Sequence, residues 1–191
     1  TKKEEAWKYT SLNTLLKPDY SIYSNKERNV ELKNVRKYFL HEIDTYKLVF
    51  VDGVYNSFLS ETTHDSLDVC LMSAALNKSK YKPVIEAYFN KAAKSDSLTA
   101  LNTAFTKEGA YIHIPAHKEV EKPIEIINFS TGNEAAIFLQ PRNLIVVGEN
   151  AHVQIIERHQ SLSSNEVLTN SVTEIFAEKR AYVDYYKIQN D

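Results

Sequence analysis

The feature that most constrains this chain is an internal echo, repeated thirty positions on, near its C-terminal end. Glu149-Asn150-Ala151-His152-Val153-Gln154-Ile155 aligns with Lys179-Arg180-Ala181-Tyr182-Val183-Asp184-Tyr185, and the match reaches upstream, with Ile145 on Ile175 and Val146 on Phe176. A third copy, unequally spaced, is Glu108-Gly109-Ala110-Tyr111-Ile112-His113-Ile114. Each copy carries alanine, then a ring, then a β-branched apolar residue, then a polar one. Side chains alternate across a strand, so Ala110, Ala151 and Ala181 are expected inward with Ile112, Val153 and Val183. Tyr111, His152 and Tyr182 then form an outward row. Columns of equivalent residues are what a β-solenoid produces, because each coil buries its face only against its neighbours. An antiparallel sandwich requires no such registry.

Around the echo, residues 107–191 read as an all-β unit. Tyr111–Ile114, Ile124–Phe129, Ala136–Leu139, Leu144–Val147, His152–Ile156, Val167–Phe176 and Ala181–Ile188 are β-branched and aromatic runs, split by Gly109, Pro115, Pro123, Gly132, Pro141 and Gly148. Residues 1–106 read as a mainly helical domain, which makes the fold class α+β. Leu67, Cys70, Leu71 and Ala74 recur at helical spacing, as do Val84, Ala87, Tyr88 and Lys91. Leu98 to Phe105 continues as helix with Ser97 as its cap. Asn29 to Phe39 fits helix or loop. Within this half, Tyr46 to Asp52 is a strand closed by Asp52-Gly53, with Val54 to Leu59 as a hairpin partner.

Composition excludes several function classes. A formal net charge of −2 supplies no field that would draw the chain onto nucleic acid. No run approaches the roughly 18 apolar residues that span a bilayer, so no membrane partner is expected and the cytoplasm is the default location. One cysteine, Cys70, provides neither a disulfide nor a thiolate cradle, and it is read as a small hydrophobe buried on a helix. The four glycines lie well apart and form no phosphate loop. His113 and His117 are separated by Pro115 and cannot share a helical face. His152 and His159 read as outward polar residues, and Glu157 beside His159 lacks a nucleophile or oxyanion site that would complete acid–base chemistry. No catalytic, cofactor-binding or metal-ligating residue is therefore assigned. Tyr182, Tyr185 and Tyr186 form an aromatic cluster that fits either solenoid packing or a buried interface.

Several stretches, in order, resemble the SufB/SufD family of the SUF iron–sulfur cluster assembly scaffold, and within it SufD. They are Glu5-Ala6-Trp7-Lys8-Tyr9-Thr10, Leu101-Asn102-Thr103-Ala104-Phe105 with Gly109 and Ile114-Pro115, Lys122-Pro123-Ile124, and Pro141-Arg142-Asn143-Leu144-Ile145-Val146. Val153-Gln154-Ile155-Ile156-Glu157 and Tyr186-Lys187-Ile188-Gln189-Asn190 close the series. The resemblance implies an N-terminal helical domain followed by a right-handed parallel β-helix, here truncated. It also implies a non-catalytic scaffold that pairs with a SufB-like subunit and a SufC-like ATPase through regions outside this N-terminal fragment. The whole complex would handle an iron–sulfur cluster, with no cofactor held by the fragment itself. The chain is expected to continue beyond Asp191, since the strand at Tyr182–Ile188 would otherwise present an open edge that invites self-association. Two other classes of β-solenoid are weighed: an enzyme acting on polysaccharide, which wants clustered charges on one outward row, and an acyltransferase, which wants a strict six-residue apolar repeat. Neither pattern is present in the sequence.

Overall fold

The echo is realised as parallel strand pairing at an offset of thirty residues. The computed structural model describes residues 12–21, 30–61, 68–92, 96–131, 136–162 and 166–190. Its first half holds α1 (Leu12–Leu15), α2 (Leu32–Val35), β1 (Tyr46–Val51), β2 (Val54–Tyr55), β3 (Asp68–Leu71), α3 (Met72–Asn77), α4 (Lys82–Tyr88) and α5 (Ser97–Phe105). Strands then follow one another: β4 (Ala110–Ile114), β5 (Ile124–Ser130), β6 (Ile137–Leu139), β7 (Arg142–Val147), β8 (His152–Ser161), β9 (Val167–Thr169), β10 (Val172–Ala177) and β11 (Tyr182–Asn190).

From β4 onward the chain visits three sheets in turn. One sheet has the order β11-β8-β5-β1-β2, a second β10-β7-β4-β3, and the third joins β6 to β9. Ile175 lies beside Ile145 and Phe176 beside Val146. Tyr182 lies beside His152 and Tyr185 beside Ile155, as the echo predicts. The turns repeat as well. His117, Asn150 and Arg180 all take positive φ, at 61°, 55° and 56°. The turns also bond to one another: the His117 amide donates to the Glu149 carbonyl at 2.8 Å, and the Asn150 amide to Lys179 at 3.1 Å.

The third copy is corrected. Tyr111 pairs with Leu144 on β7 and not with His152, so the 108–114 segment belongs to the β7 column. Its inward assignment holds, since Ala110, Ile112, Ala151 and Val153 all lie in the apolar interior, with Ala181 and Val183 packed against it. Tyr111 faces outward from that interior yet is fully buried, because α3, with Met72 and Ala75, and the 3-10 turn before α4, with Tyr81, lie over it. Val167–Phe176, read as one run, is two strands interrupted at Asn170 and Ser171.

Among the described residues the first half is not mainly helical. Its α-helices have four to nine residues, and β1 to β3 join the sheets of the second half. β1 runs parallel to β5, with Leu48 beside Ile126. Cys70 is half-buried on β3, antiparallel to β4 and beside Tyr111, and not on a helix. The run Val69-Cys70-Leu71 fits a strand as well as a helix, and β4 offers it an unpaired edge. The predicted hairpin forms, with Phe50 beside Tyr55. Its turn residues Asp52 and Gly53 both take positive φ, the demand of a two-residue hairpin loop. Asn29–Phe39 resolves, where described, into α2 and a 3-10 turn at Arg36–Tyr38. This segment lays Val35 and Phe39 over Val49, Val51, Ile127 and Phe129 on the outer face of β1 and β5. α5 is capped by Asp96, whose carboxylate accepts the Thr99 amide at 2.8 Å, one residue earlier than expected. Trp7-Lys8-Tyr9-Thr10, Leu67 and Gly132 lie outside the described residues.

Candidate functional site

Along β8 the alternation that turns Val153 and Ile155 into the apolar interior also turns Glu157 inward, and its side chain is fully buried. A buried carboxylate is tolerated only when donors surround it. Six residues meet that demand. The Tyr185 hydroxyl donates at 2.6 Å and Thr173 at 2.7 Å, Ser171 donates at 3.1 Å, and the Asn143 amide donates at 3.2 Å. His159 Nε2 lies at 2.7 Å and Lys187 Nζ at 3.2 Å. Lys187 stands directly beside Glu157 in the strand register, so the pairing that stacks β11 on β8 also delivers its cation. Burial alone would push the Glu157 carboxyl up. His159, Lys187, Tyr185 and Thr173 outweigh it and hold the group well below the usual carboxylate range. Burial and the Glu157 charge push the Tyr185 phenol above its ordinary value.

The aromatic trio divides. Tyr185 is inside, on Glu157, whereas Tyr182 and Tyr186 point out with 71% and 56% of their surface exposed, and Ile188 follows them on that face. His159 is not the free outward residue expected, since its ring lies against the buried carboxylate. His152 is half-exposed between Glu119 at 4.0 Å from Nδ1 and Asp184 at 3.6 Å from Nε2. These carboxylates approach opposite ring nitrogens, so the three groups do not converge on one point. His117 lies in a turn, its Nδ1 3.3 Å from the Asn150 side-chain amide, and His113 is on β4. Among the described residues no group of three or more His, Cys, Asp or Glu is placed to hold a metal ion. Burial pushes the Cys70 thiol up, away from the reactive thiolate.

Sequence reasoning saw Glu157 only as half of an acid–base pair with His159. The signal for its true setting was parity: Glu157 shares a row with Val153 and Ile155, and a charge in an apolar row needs partners from neighbouring strands. Chemically the arrangement is a saturated ion hub that ties β7, β8, β10 and β11 together. Two further buried ion pairs also escaped the sequence reading: Arg142 with Glu174 at 2.6 Å, and Arg158 with Glu125 at 3.1 Å.

Strands that return after 30 to 33 residues around a saturated interior carboxylate define a sheet-rich protein of repeating parallel strands. Comparison with known proteins narrows this. Residues 1–126 match the SufBD protein N-terminal region, and residues 129–191 match the SufBD core domain of SUF system FeS cluster assembly. An iron–sulfur cluster assembly SufBD family protein of Synechocystis sp. is 27% identical over 199 residues, covering 100% of this chain and 44% of its own length. The iron–sulfur cluster assembly protein SufD of Bacillus subtilis is 28% identical over 115 residues, 58% of this chain and 26% of its own. A SufBD family protein of Arabidopsis thaliana is 29% identical over 147 residues, with 72% and 30% covered. The chain belongs to the SufBD family, a family of iron–sulfur cluster assembly. It spans less than half the length of each of these relatives. No helix among the described residues is long and apolar enough to cross a membrane.

Proposed function

We propose that the chain is part of a SufD-type, non-catalytic scaffold subunit for iron–sulfur cluster assembly, built on a right-handed parallel β-helix. The observation that carries this reading is the register: β7 with β10 and β8 with β11 pair at one constant offset while the chain passes through three sheets in turn. In this reading the core begins near residue 107 and takes β1 to β3 from the preceding segment as added strands. Membership of the SufBD family supports the assembly role. The cluster is cargo of the complex, and the subunit works in the cytoplasm as a rigid support.

Partners follow from the same reading. A SufB-like subunit and a SufC-like ATPase would be met through parts of the protein outside residues 1–191. Tyr182 and Tyr186 are the side chains of this segment best suited to contact another chain, since exposed tyrosines carry large apolar area with a polar tip. Co-expression of the intact protein with SufB-like and SufC-like subunits, followed by affinity purification, tests the proposal. A stable complex of defined stoichiometry supports it, and recovery of the protein without either subunit refutes it. Polysaccharide cleavage or acetyl transfer by the purified protein would instead establish an enzyme.

A further inference from the structure

Repeating strands create a problem for whatever packs on them. Successive layers present nearly equivalent outer faces about 4.8 Å apart, so a helical layer held only by apolar contact could settle one layer up or down at little cost. The layer concerned here is α4, the turn Phe89–Ala92 and α5. Non-directional packing cannot choose among such positions. In α5 the one fully buried side chain is polar, Asn102, while Leu98 and Leu101 are only partly buried and Phe105 remains 42% exposed.

What breaks the equivalence is a diagonal of polar residues. Arg142 is fully buried on β7, and the next layer places Val172 beside it. Glu174 is buried on β10, and the preceding layer places Leu144 beside it. The two meet across the layers at 2.6 Å. Both then reach into the helical layer. Glu174 accepts the backbone amides of Asn90 at 2.8 Å and Ala92 at 3.0 Å. Arg142 donates to the side chains of Asn90 at 3.2 Å and Asn102 at 3.3 Å, with the Phe89 ring centroid 5.0 Å from its guanidinium carbon. Asn102 completes the diagonal by donating to the carbonyls of Pro141 at 3.0 Å and Asn170 at 2.7 Å, one in each layer.

We propose that Arg142 and Glu174 form a register lock, fixing α4–α5 at one position along the stacked strands. A shift of the helical layer by one strand toward β4 would set the Asn90 and Ala92 amides against Leu144. It would also leave the buried Arg142–Glu174 pair without its hydrogen bonds to Asn90, Ala92 and Asn102, which neighbouring registers cannot replace. The lock thus selects a single docking position, a role distinct from adding net stability. This holds whether or not the protein serves cluster assembly.

The test is backbone amide exchange in the intact protein carrying Arg142→Met with Glu174→Leu, an apolar pair of similar volume. The lock predicts that strand amides keep their parent protection while Asn90, Ala92 and α5 exchange at least about tenfold faster. Parent-like protection of those amides would overturn it. Should the double variant fail to fold, Glu174→Gln supplies the same reading, since it keeps the shape and removes the charge. Faster exchange that reaches α5 as well as Asn90 and Ala92 supports the lock, whereas acceleration confined to those two amides, which lose only their own acceptor, refutes it. Unchanged exchange there, or equal loss over the strands, refutes it.

Discussion

The Tyr185 hydroxyl donates to the Glu157 carboxylate at 2.6 Å, joining two strands whose paired residues lie thirty positions apart in the chain. The bond exists only because β11 is stacked on β8 in one register. A slip of a single residue would turn Tyr185 out and leave the carboxylate short of a donor.

Tyr185→Phe should therefore lower stability by about 1–2 kcal/mol, since a buried acceptor loses a partner. Tyr186→Phe, on the exposed side of the same strand, should stay within about 0.5 kcal/mol of the parent. Urea unfolding of the two variants distinguishes the faces. Equal losses would place both hydroxyls in one environment, contrary to the geometry.

Glu157→Gln should cost about 3 kcal/mol near neutral pH, because it leaves Lys187 and His159 facing an uncharged group. The pH dependence has a fixed sign. The folded carboxyl sits below its ordinary value, so the unfolded chain binds the proton more readily. The stability that Glu157 contributes is full above its unfolded value of about 4.3 and fades as pH falls below it. The deficit of Glu157→Gln relative to the parent should accordingly shrink in acid. A deficit that is constant between pH 7 and pH 3 would remove the ionised carboxylate from the account.

Ala151→Glu introduces a charge where the side chain is fully buried among Ile124, Ile155 and Val147. We expect a loss of at least about 3 kcal/mol or failure to fold, read by thermal melting. A parent-like melt would mean that Ala151 does not face the interior.

Gly109→Ala probes a close approach between layers. A Cβ built there lies 1.8 Å from the Arg142 carbonyl oxygen, a backbone atom that cannot swing aside. Separation of β4 from β7 should cost about 2–4 kcal/mol, visible as a lower denaturation midpoint with faster exchange at Ile112 and Ile145. An unchanged midpoint would show that the two strands tolerate wider spacing than the structure has.

Paired Tyr182→Lys and Tyr186→Lys should leave the fold intact, because both side chains face water. Lysines at Val183 and Tyr185 would instead enter the interior and unfold the end of the sheet. If the outward tyrosines contact another subunit, the double variant should lose that association by light scattering while its melting temperature holds. Association that survives unchanged would place the contact elsewhere.

Much of the fold could be read from the chain because its repeat is a local signal. Ala151, Val153, Ala181 and Val183 declare their side by alternation, and the offset between Ile145 and Ile175 is the pairing offset itself. The errors came where two patterns overlap. Val69-Cys70-Leu71 satisfies both helical and strand spacing, and only the free edge of β4 decides between them. Ala110 resembles Ala151 in sequence, yet an extra eleven residues of spacing place it one sheet away. The site was less legible still. Glu157 takes its donors from residues 2 to 30 positions distant, and Arg142 meets Glu174 across 32, separations that carry no local periodicity.

The shared direction of the ladder bonds has a mechanical consequence. β1, β5, β8 and β11 lie side by side in one sheet, so their interstrand hydrogen bonds all point along the axis on which the layers are stacked. Tension along that axis would open one ladder at a time, peeling the outermost strand before the next feels any load. Tension along the strands would shear a whole ladder at once. The body is therefore compliant in one direction and stiff across it, and an attachment that carries force is best made at its flanks.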